Sequence, residues 1–167
     1  MKKIDNGLLN FEIKDGKLVK CTLNDKDRYF SPEDDGALLQ IPAGVKVLGS
    51  NFIPEEELDL IYGGIHAISL PDGLVKIEEK AFSSFLGGHF LYLFVPKSVA
   101  VIEAFAFENC DGIKIYCETK KPLIGLPNGW AKSTKNYSEV LLGSLNKFKW
   151  NVNRDEFEKE MMSIEVE

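Results

Sequence analysis

The sequence has few of the residues from which a metal centre, a disulfide framework or a nucleophilic site is built. It contains two histidines and three cysteines in 167 residues. The cysteines form no CxxC pair, and their odd number is typical of a reducing compartment rather than of a disulfide-rich secreted domain. No two of the five residues show the spacing of zinc ligands, so the sequence predicts no metal and no cofactor. The five residues are Cys21, Cys110, Cys117, His66 and His89.

Positive charge and long apolar runs are also scarce. The 20 lysines and arginines are outnumbered by 26 acidic residues, and the net charge is -6. Because the phosphate backbone is bound by clustered lysines and arginines, this charge argues against a nucleic-acid partner. No segment approaches the ~18 apolar residues of a membrane span, and residues 1–16 lack the apolar run of a secretory signal. The sequence therefore predicts a cytoplasmic protein without membrane insertion, with a surface or secreted protein trimmed of its leader as the alternative.

What the sequence does contain is an internal repeat, with copies at residues 39–52, 68–82 and 93–107. Each copy has apolar residues at alternate positions before a proline, and further apolar residues three and six positions after it. These triplets are Pro42/Val45/Leu48, Pro71/Leu74/Ile77 and Pro96/Val99/Ile102. An Ala-Phe pair closes the second and third copies, whereas the first is one residue shorter. Self-similarity at a period of roughly 20 to 50 residues indicates a solenoid, in which each unit buries its apolar face against the next.

Each copy predicts a strand, a turn and a return strand. Alternation before the proline places two residues on one face of the strand and the middle residue on the other. Proline has no backbone donor, so it ends the strand, and a glycine two residues later suits a tight turn. The closing phenylalanines, Phe52, Phe82 and Phe107, are predicted to stack as an aromatic column between the two walls.

These residues resemble the leucine-rich repeats of the BspA type, whose unit reads roughly I-x-I-P-x-x-V-x-x-I-x-x-x-A-F-x-x-C. Residues 107–110 match the end of that unit, and residues 115–118 with Pro122 and Trp130 look like the stretch that often ends such arrays. Phe85 departs from it, standing where a cysteine is expected. The resemblance implies a β-rich repeat solenoid, a short right-handed array of about three to four units. It also implies a protein-binding role, since most members are surface or secreted proteins that bind proteins or host molecules.

The segments on either side of the array are predicted to cap it within one structural domain. Residues 1–36 comprise a β-hairpin, predicted from Asp15-Gly16 between alternating apolar residues, and a polar loop. Residues 37–143 form the array, and residues 144–167 an edge strand followed by a helix. Asn153 and Glu156 have the spacing of a capping box. Phe157, Met161 and Ile164 form an apolar stripe, which we expect to cover the open end of the last repeat. A dimerising or partner-docking helix is the alternative.

A polar loop before the array and two insertions within it depart from the regular pattern. The acidic cluster at residues 33–35 lacks the ligand spacing of a calcium loop, so we interpret it as a solvated loop. Pro54 with the three glutamates after it predicts a short helical turn. The glycine pairs at 63–64 and 87–88 lie in insertions that also carry His66 and His89. Such loops often hold binding residues, although histidines in glycine-rich loops are usually only surface polar groups.

The candidate binding surface is the strand face opposite the core. Alternation in residues 90–95 and 113–117 directs aromatic side chains to that face. Exposed tyrosine and phenylalanine supply large contact area to a protein partner. Either this row is the binding face, which could also support a homodimer through the strand face or the C-terminal helix, or an insertion or the C-terminal tail covers it. The predicted partner-binding residues are Gln40, Ser69, Tyr92, Phe94 and Tyr116.

No enzymatic activity is predicted. Cys110 and Cys117 are expected to be buried packing residues, since an active thiol needs a nearby base or positive charge. The remaining enzyme hypothesis is a metal- or thiol-dependent hydrolase. It would require His66, His89 and an ionised cysteine or carboxylate to converge. The sequence therefore favours a non-catalytic binding or scaffold module.

Overall fold

The computed structural model describes residues 1–5, 7–24, 38–58, 61, 65–82, 91–103, 105–107, 113–119 and 148–163. Within them the chain forms two β-sheets, which close no barrel, and a C-terminal α-helix. Several residues and segments to which the sequence analysis assigned roles lie outside the described residues. They are the acidic cluster at 33–35, both glycine pairs, Phe85, His89, Cys110, Pro122, Trp130 and Ile164.

The first three strands form an antiparallel meander, β1 (Lys2–Asp5), β2 (Leu9–Lys14) and β3 (Lys17–Leu23). The two-residue turn between β2 and β3 has positive φ at both Asp15 (49°) and Gly16 (79°). Positive φ at both central positions is the type I′ geometry that matches the twist of paired strands. The hairpin predicted from Asp15-Gly16 is confirmed.

From β3 to β10 the strands alternate between the two sheets. The six-stranded sheet has the order β1-β2-β3-β5-β7-β9, and the five-stranded sheet has the order β11-β10-β8-β6-β4. All neighbours in the five-stranded sheet are parallel. The other strands are β4 (Leu38–Gln40), β5 (Val47–Leu48), β6 (Ala67–Ser69), β7 (Lys76–Ile77), β8 (Leu91–Val95), β9 (Val101–Ile102), β10 (Ile113–Cys117) and β11 (Phe148–Lys149). Each repeat copy therefore contributes one strand to each sheet, with the main core between them.

A tight turn follows the proline of each copy. The backbone N–H groups of Val45, Leu74 and Val99 donate to the carbonyls of their copies' prolines at 3.5, 3.2 and 3.2 Å. Gly44 and Gly73 adopt φ of 93° and 87°, which a residue with a Cβ rarely adopts. The apolar residues three and six positions after each proline are buried, as the spacing predicted.

The closing phenylalanines form the predicted column. Phe52, Phe82 and Phe107 are fully buried. The Phe82 ring meets that of Phe52 edge-on at 5.7 Å and stacks on that of Phe107 at 5.4 Å. Just before the column, Lys80 (φ 60°) donates its N–H to the Phe105 carbonyl, and the N–H of Asn51 (φ 48°) bonds the Lys80 carbonyl, both at 3.0 Å. The aromatic core is thus continuous through all three copies.

The first copy departs from the others where it meets the hairpin. Gly49 takes the position that Glu78 holds in the second copy. Its N–H donates to the Leu18 carbonyl at 3.0 Å, and a Cβ at Gly49 would lie 2.5 Å from that oxygen. Glu78 instead receives the Lys17 ammonium at 2.8 Å. Close approach of β3 therefore accounts for the glycine.

The predicted helical turn after Pro54 is a single 3-10 turn, η1 (Glu55–Glu57). Glu55 and Glu56 are exposed, but Glu57 is buried. The Glu57 carboxylate accepts the backbone N–H of Leu23 at 3.2 Å, which ties this turn to the end of β3. The sequence pattern did not distinguish Glu57 from its two solvated neighbours.

The C-terminal segment combines the predicted edge strand with helix α1 (Arg154–Ser163). Strand β11 pairs in parallel with β10 at the end of the five-stranded sheet. Asn153 accepts the Glu156 N–H at 2.8 Å and donates its side-chain amide to the Glu156 carboxylate at 2.6 Å. The first bond caps the helix as the spacing predicted, whereas the second joins the two side chains and does not return to the Asn153 backbone N–H as in a complete capping box.

Candidate interaction surface

The predicted partner-binding residues lie together on the face of the five-stranded sheet that points away from the main core. Parallel register places Gln40 opposite Ser69, Ser69 opposite Phe94, Phe94 opposite Tyr116 and Tyr116 opposite Lys149. We call these five residues the outer row. Tyr92 lies beside it, opposite Ala67 and Lys114. Alternation alone had assigned four members of the row and Tyr92 to this face.

Of the two alternatives for this face, an exposed binding row and a row covered by an insertion or the C-terminal tail, the structure shows a covered row, because α1 lies on it. Ser69, Phe94 and Tyr116 are buried, Tyr92 is half-buried, and Gln40 remains exposed. The alternative that the C-terminal tail covers the row is confirmed. The residues of the covered cluster come from both the sheet and the C-terminal segment. They are Ala67, Phe94, Tyr116, Val152, Phe157 and Met161.

The predicted position of the helix at the open end of the last repeat is also wrong. Contacts of α1 reach back to β4 and β6, the first two strands of the sheet. Arg154 at the start of the helix bonds Leu70 and Asp72, which follow β6, and Met161 near its end contacts His66, which precedes β6. The helix therefore runs opposite to β6 along the sheet. Its apolar stripe packs there against the aromatic side chains of the face.

Arg154 is held by three oxygen atoms and one ring. Its guanidinium donates to the Ser69 hydroxyl at 2.6 Å, to the Leu70 carbonyl at 2.7 Å and to the Asp72 carboxylate at 2.9 Å. The same group lies 4.7 Å above the centre of the Phe94 ring. These contacts satisfy the hydroxyl of Ser69, which would otherwise be a buried unpaired polar group. Planar guanidinium geometry suits several oxygens and a ring face at once.

Phe157 inserts between the two aromatic residues of the outer row. Its ring centre lies 5.5 Å from that of Phe94 and 5.3 Å from that of Tyr116, with tilted planes. Phe157 is fully buried, and Met161 lies one helical turn further along the same stripe. Two of the three predicted stripe residues therefore contact the sheet, and the third lies outside the described residues.

A carboxylate completes the contact on the side of β10 and β11. The Tyr116 hydroxyl donates to Glu160 at 3.0 Å, and the Lys149 ammonium lies 3.4 Å from the same carboxylate. Lys149 also sits 5.4 Å from the centre of the Tyr116 ring. Burial, followed by the hydrogen bond to Glu160, raises the pKa of Tyr116 above its ordinary value. The phenol therefore stays protonated and donates over the whole physiological pH range.

His66 is part of this contact and is not the surface polar group that the sequence predicted. Its Nε2 lies 3.2 Å from the Met161 carbonyl, and its ring meets Tyr92 edge-on at 6.5 Å. Since a carbonyl only accepts, Nε2 carries the proton in this bond. On the other flank of α1, the Gln40 amide lies 3.5 Å from Glu158. The imidazole of His66 therefore helps to hold α1 on the sheet.

The described cysteines have the environment of packing residues. Cys21 and Cys117 are free thiols in the main core. Burial raises the pKa of Cys117 to about 12. Burial, and then the nearby carboxylate of Glu57, raises the pKa of Cys21 still further. Both therefore remain protonated at neutral pH, whereas nucleophilic or metal-binding cysteines are thiolates.

Among the described residues no group of three or more histidine, cysteine or acidic side chains could hold a metal ion.

Sequence reasoning missed the polar residues of α1 that join it to the sheet, above all Arg154 and Glu160. Both lie three residues from Phe157 and so flank the apolar stripe on the same side of the helix. That spacing was available in the sequence as a signal.

No helix in the part of the chain that the structure describes is long and apolar enough to cross a membrane. Comparisons of the chain with protein-family models, curated proteins and solved structures found no match.

Proposed function

We propose that the chain is a non-catalytic protein-binding module, built as a short right-handed leucine-rich-repeat solenoid of the BspA type with the β1–β3 meander as its N-terminal cap. Three features that recur from copy to copy support this architecture. They are a strand in each sheet, a tight turn after the proline, and a buried phenylalanine stacked on its neighbours. The partner is a protein, and the outer face of the five-stranded sheet binds it.

The observation that carries the proposal is the set of contacts between the outer row and α1. This face holds a polypeptide segment with three kinds of group: oxygens that bind a guanidinium, an aromatic cleft and donors to a carboxylate. Aromatic anchors with flanking polar groups are the usual composition of a protein-binding hot spot. A surface with this composition suits recognition of a protein segment.

An affinity capture from the native source tests the function with three full-length proteins. The first is the parent, and the second is Arg154→Ala/Phe157→Ala, which weakens the docking of α1. The third adds Phe94→Ser to the second and so removes the central ring of the face. We expect the double variant to retain a discrete protein that the triple variant loses. Circular dichroism melts confirm that all three remain folded.

Two results would contradict the proposal. One is that neither the parent nor the double variant retains any discrete protein. The other is that the captured protein is retained equally by the triple variant, because binding would then occur on another surface. Lys20→Ala, an exposed change on β3, is the matched control and should leave capture unchanged.

A further inference from the structure

We infer that the outer face of the five-stranded sheet is a receptor for a helix of another protein, and that α1 competes with this helix. The partner helix carries an arginine, an aromatic residue three positions after the arginine and a glutamate six positions after it. The inference rests on the proposed binding function and specifies the partner. The pattern is the one that α1 itself presents in Arg154, Phe157 and Glu160. Each of the three positions contacts a different part of the face.

The arginine position is selective because of its geometry. Three oxygens from Ser69, Leu70 and Asp72 lie 2.6 to 2.9 Å from the guanidinium nitrogens of Arg154, and the Phe94 ring lies under the group. A lysine ammonium is a single compact donor and cannot reach these oxygens in a planar fork while stacking on the ring. The site therefore discriminates arginine from lysine at equal charge.

The aromatic and acidic positions add shape and direction. The cleft between Phe94 and Tyr116 admits a ring at 5.3 to 5.5 Å from both centres. Tyr116 and Lys149 both lie within hydrogen-bonding or ion-pair distance of one carboxylate. Since the arginine site lies at the end of β6 and the carboxylate site lies beside β10 and β11, a helix can fill both sites only in the direction that α1 takes.

For α1 to be displaced, the covered cluster must open while the main core stays intact. The two lie on opposite faces of the five-stranded sheet: on β8, Phe94 belongs to the covered cluster, whereas Leu93 and Val95 belong to the main core. Regions that detach locally are those with few buried contacts. Of the apolar residues in α1, Phe157 and Met161 are buried on the sheet, whereas Met162 is 72% exposed. We therefore expect the sheet face to remain formed when α1 leaves it.

The test uses a labelled peptide of residues 150–163, kept helical by a lactam bridge between the side chains of Asp155 and Lys159. These residues are one turn apart and exposed, so the bridge stabilises the helix away from the binding stripe. Fluorescence anisotropy measures its binding to the full-length parent and to full-length Arg154→Ala/Phe157→Ala. We expect at least tenfold tighter binding to the variant, because its own α1 competes weakly.

Matched peptides then test the pattern. The changes Arg154→Lys, Phe157→Ala and Glu160→Gln in the peptide should each weaken binding to the double variant, the first by about tenfold although charge is kept. Equal binding of the Arg154→Lys peptide would overturn the inference. So would equal binding of the original peptide to parent and double variant. If the double variant fails to fold, Arg154→Lys in the full chain is the milder replacement.

Other outcomes separate this inference from the proposed function. If no peptide binds but capture from the native source still depends on Phe94, the face binds a protein of different chemistry and only the inference fails. Sedimentation of the parent over a range of concentrations tests for a second copy as the occupant. A dimer that the peptide dissociates would overturn the inference, since the receptor would then serve helix exchange between copies.

Discussion

Single residues show how the structure assigns different roles to residues that look equivalent in sequence. Three consecutive glutamates follow Pro54, but only Glu57 is buried and bonded to the end of β3. Gly49 occupies a position that is glutamate in the next copy, because the carbonyl of Leu18 leaves no room for a Cβ. In both cases the neighbour responsible comes from the hairpin, far away in sequence. The residue's own local pattern therefore carries no signal of its role.

Tyr116 makes the docking of α1 sensitive to alkaline pH. Its folded-state pKa is raised by burial and then by the bond to Glu160, from an ordinary value of 10.0. A raised folded pKa contributes stability that is present below the unfolded pKa and lost as pH rises through the folded pKa. We expect α1 to detach progressively above pH 10. NMR amide signals of α1, followed from pH 7 upwards, measure this.

Tyr116→Phe is the matched variant, since it keeps the ring between Phe94 and Phe157 and removes only the hydroxyl. It should reduce stability at neutral pH by about 0.5–1.5 kcal/mol, the value of one hydrogen bond. Its α1 signals should show a smaller pH dependence, because the phenol whose ionisation weakens the contact with Glu160 is absent. An identical alkaline transition in the two proteins would exclude Tyr116 as its cause.

The elements are formed by local patterns but are held in place by contacts between copies. The hairpin, the proline turns and the Asn153 cap of α1 each follow from a few adjacent residues. The column of phenylalanines has a different origin, since each ring is stabilised by the ring of the neighbouring copy. Sequence spacing predicted the column because equivalent positions in stacked units must meet.

Substitution of the column residues tests this interaction between copies. Phe82→Ala and Phe107→Ala should each reduce the free energy of unfolding by about 3–5 kcal/mol, as expected for a fully buried phenylalanine. In the shorter first copy, Phe52 is as deeply buried as the other two phenylalanines and contacts Phe82, so we expect a comparable loss for Phe52→Ala. Urea melts measure the three values. A change in the free energy of unfolding within about 0.5 kcal/mol, typical of surface substitutions, would show that the column contributes little to stability.

Among the described residues, the buried apolar side chains fall into a main core between the sheets and the covered cluster under α1. Because the covered cluster lies on the outer face of the five-stranded sheet, we expect two levels of stability. The main core should determine global unfolding, and the contacts of Arg154, Phe157 and Glu160 should determine whether the strand face is covered. This separation links stability to the proposed function, since a partner helix can replace α1 without unfolding the sheets.

Hydrogen exchange tests the two levels. Amides of α1 should exchange at a lower opening free energy than amides of β6 and β8, because local detachment exposes the helix first. Phe157→Ala should accelerate exchange in α1 and leave the slowest strand amides nearly unchanged. Phe107→Ala, the control in the main core, should accelerate exchange in both. If Phe157→Ala instead accelerated both to the same extent, α1 and the sheets would form one cooperative unit.

The sequence by itself determined the repeat, the alternation of strand residues, the hairpin turn, the aromatic column and the start of α1. These follow from backbone sterics and periodicity, which act between neighbours or between equivalent positions of stacked units. It also determined four of the five side chains that form the outer row. Only the tertiary structure decided that α1 packs on that face rather than at the end of the array, and that Arg154, Glu160 and His66 hold it there. The physical reason is that apolar burial is non-directional, so the stripe of α1 could pack on any apolar surface. Which surface it meets depends on polar partners that come together only when the sheets have formed.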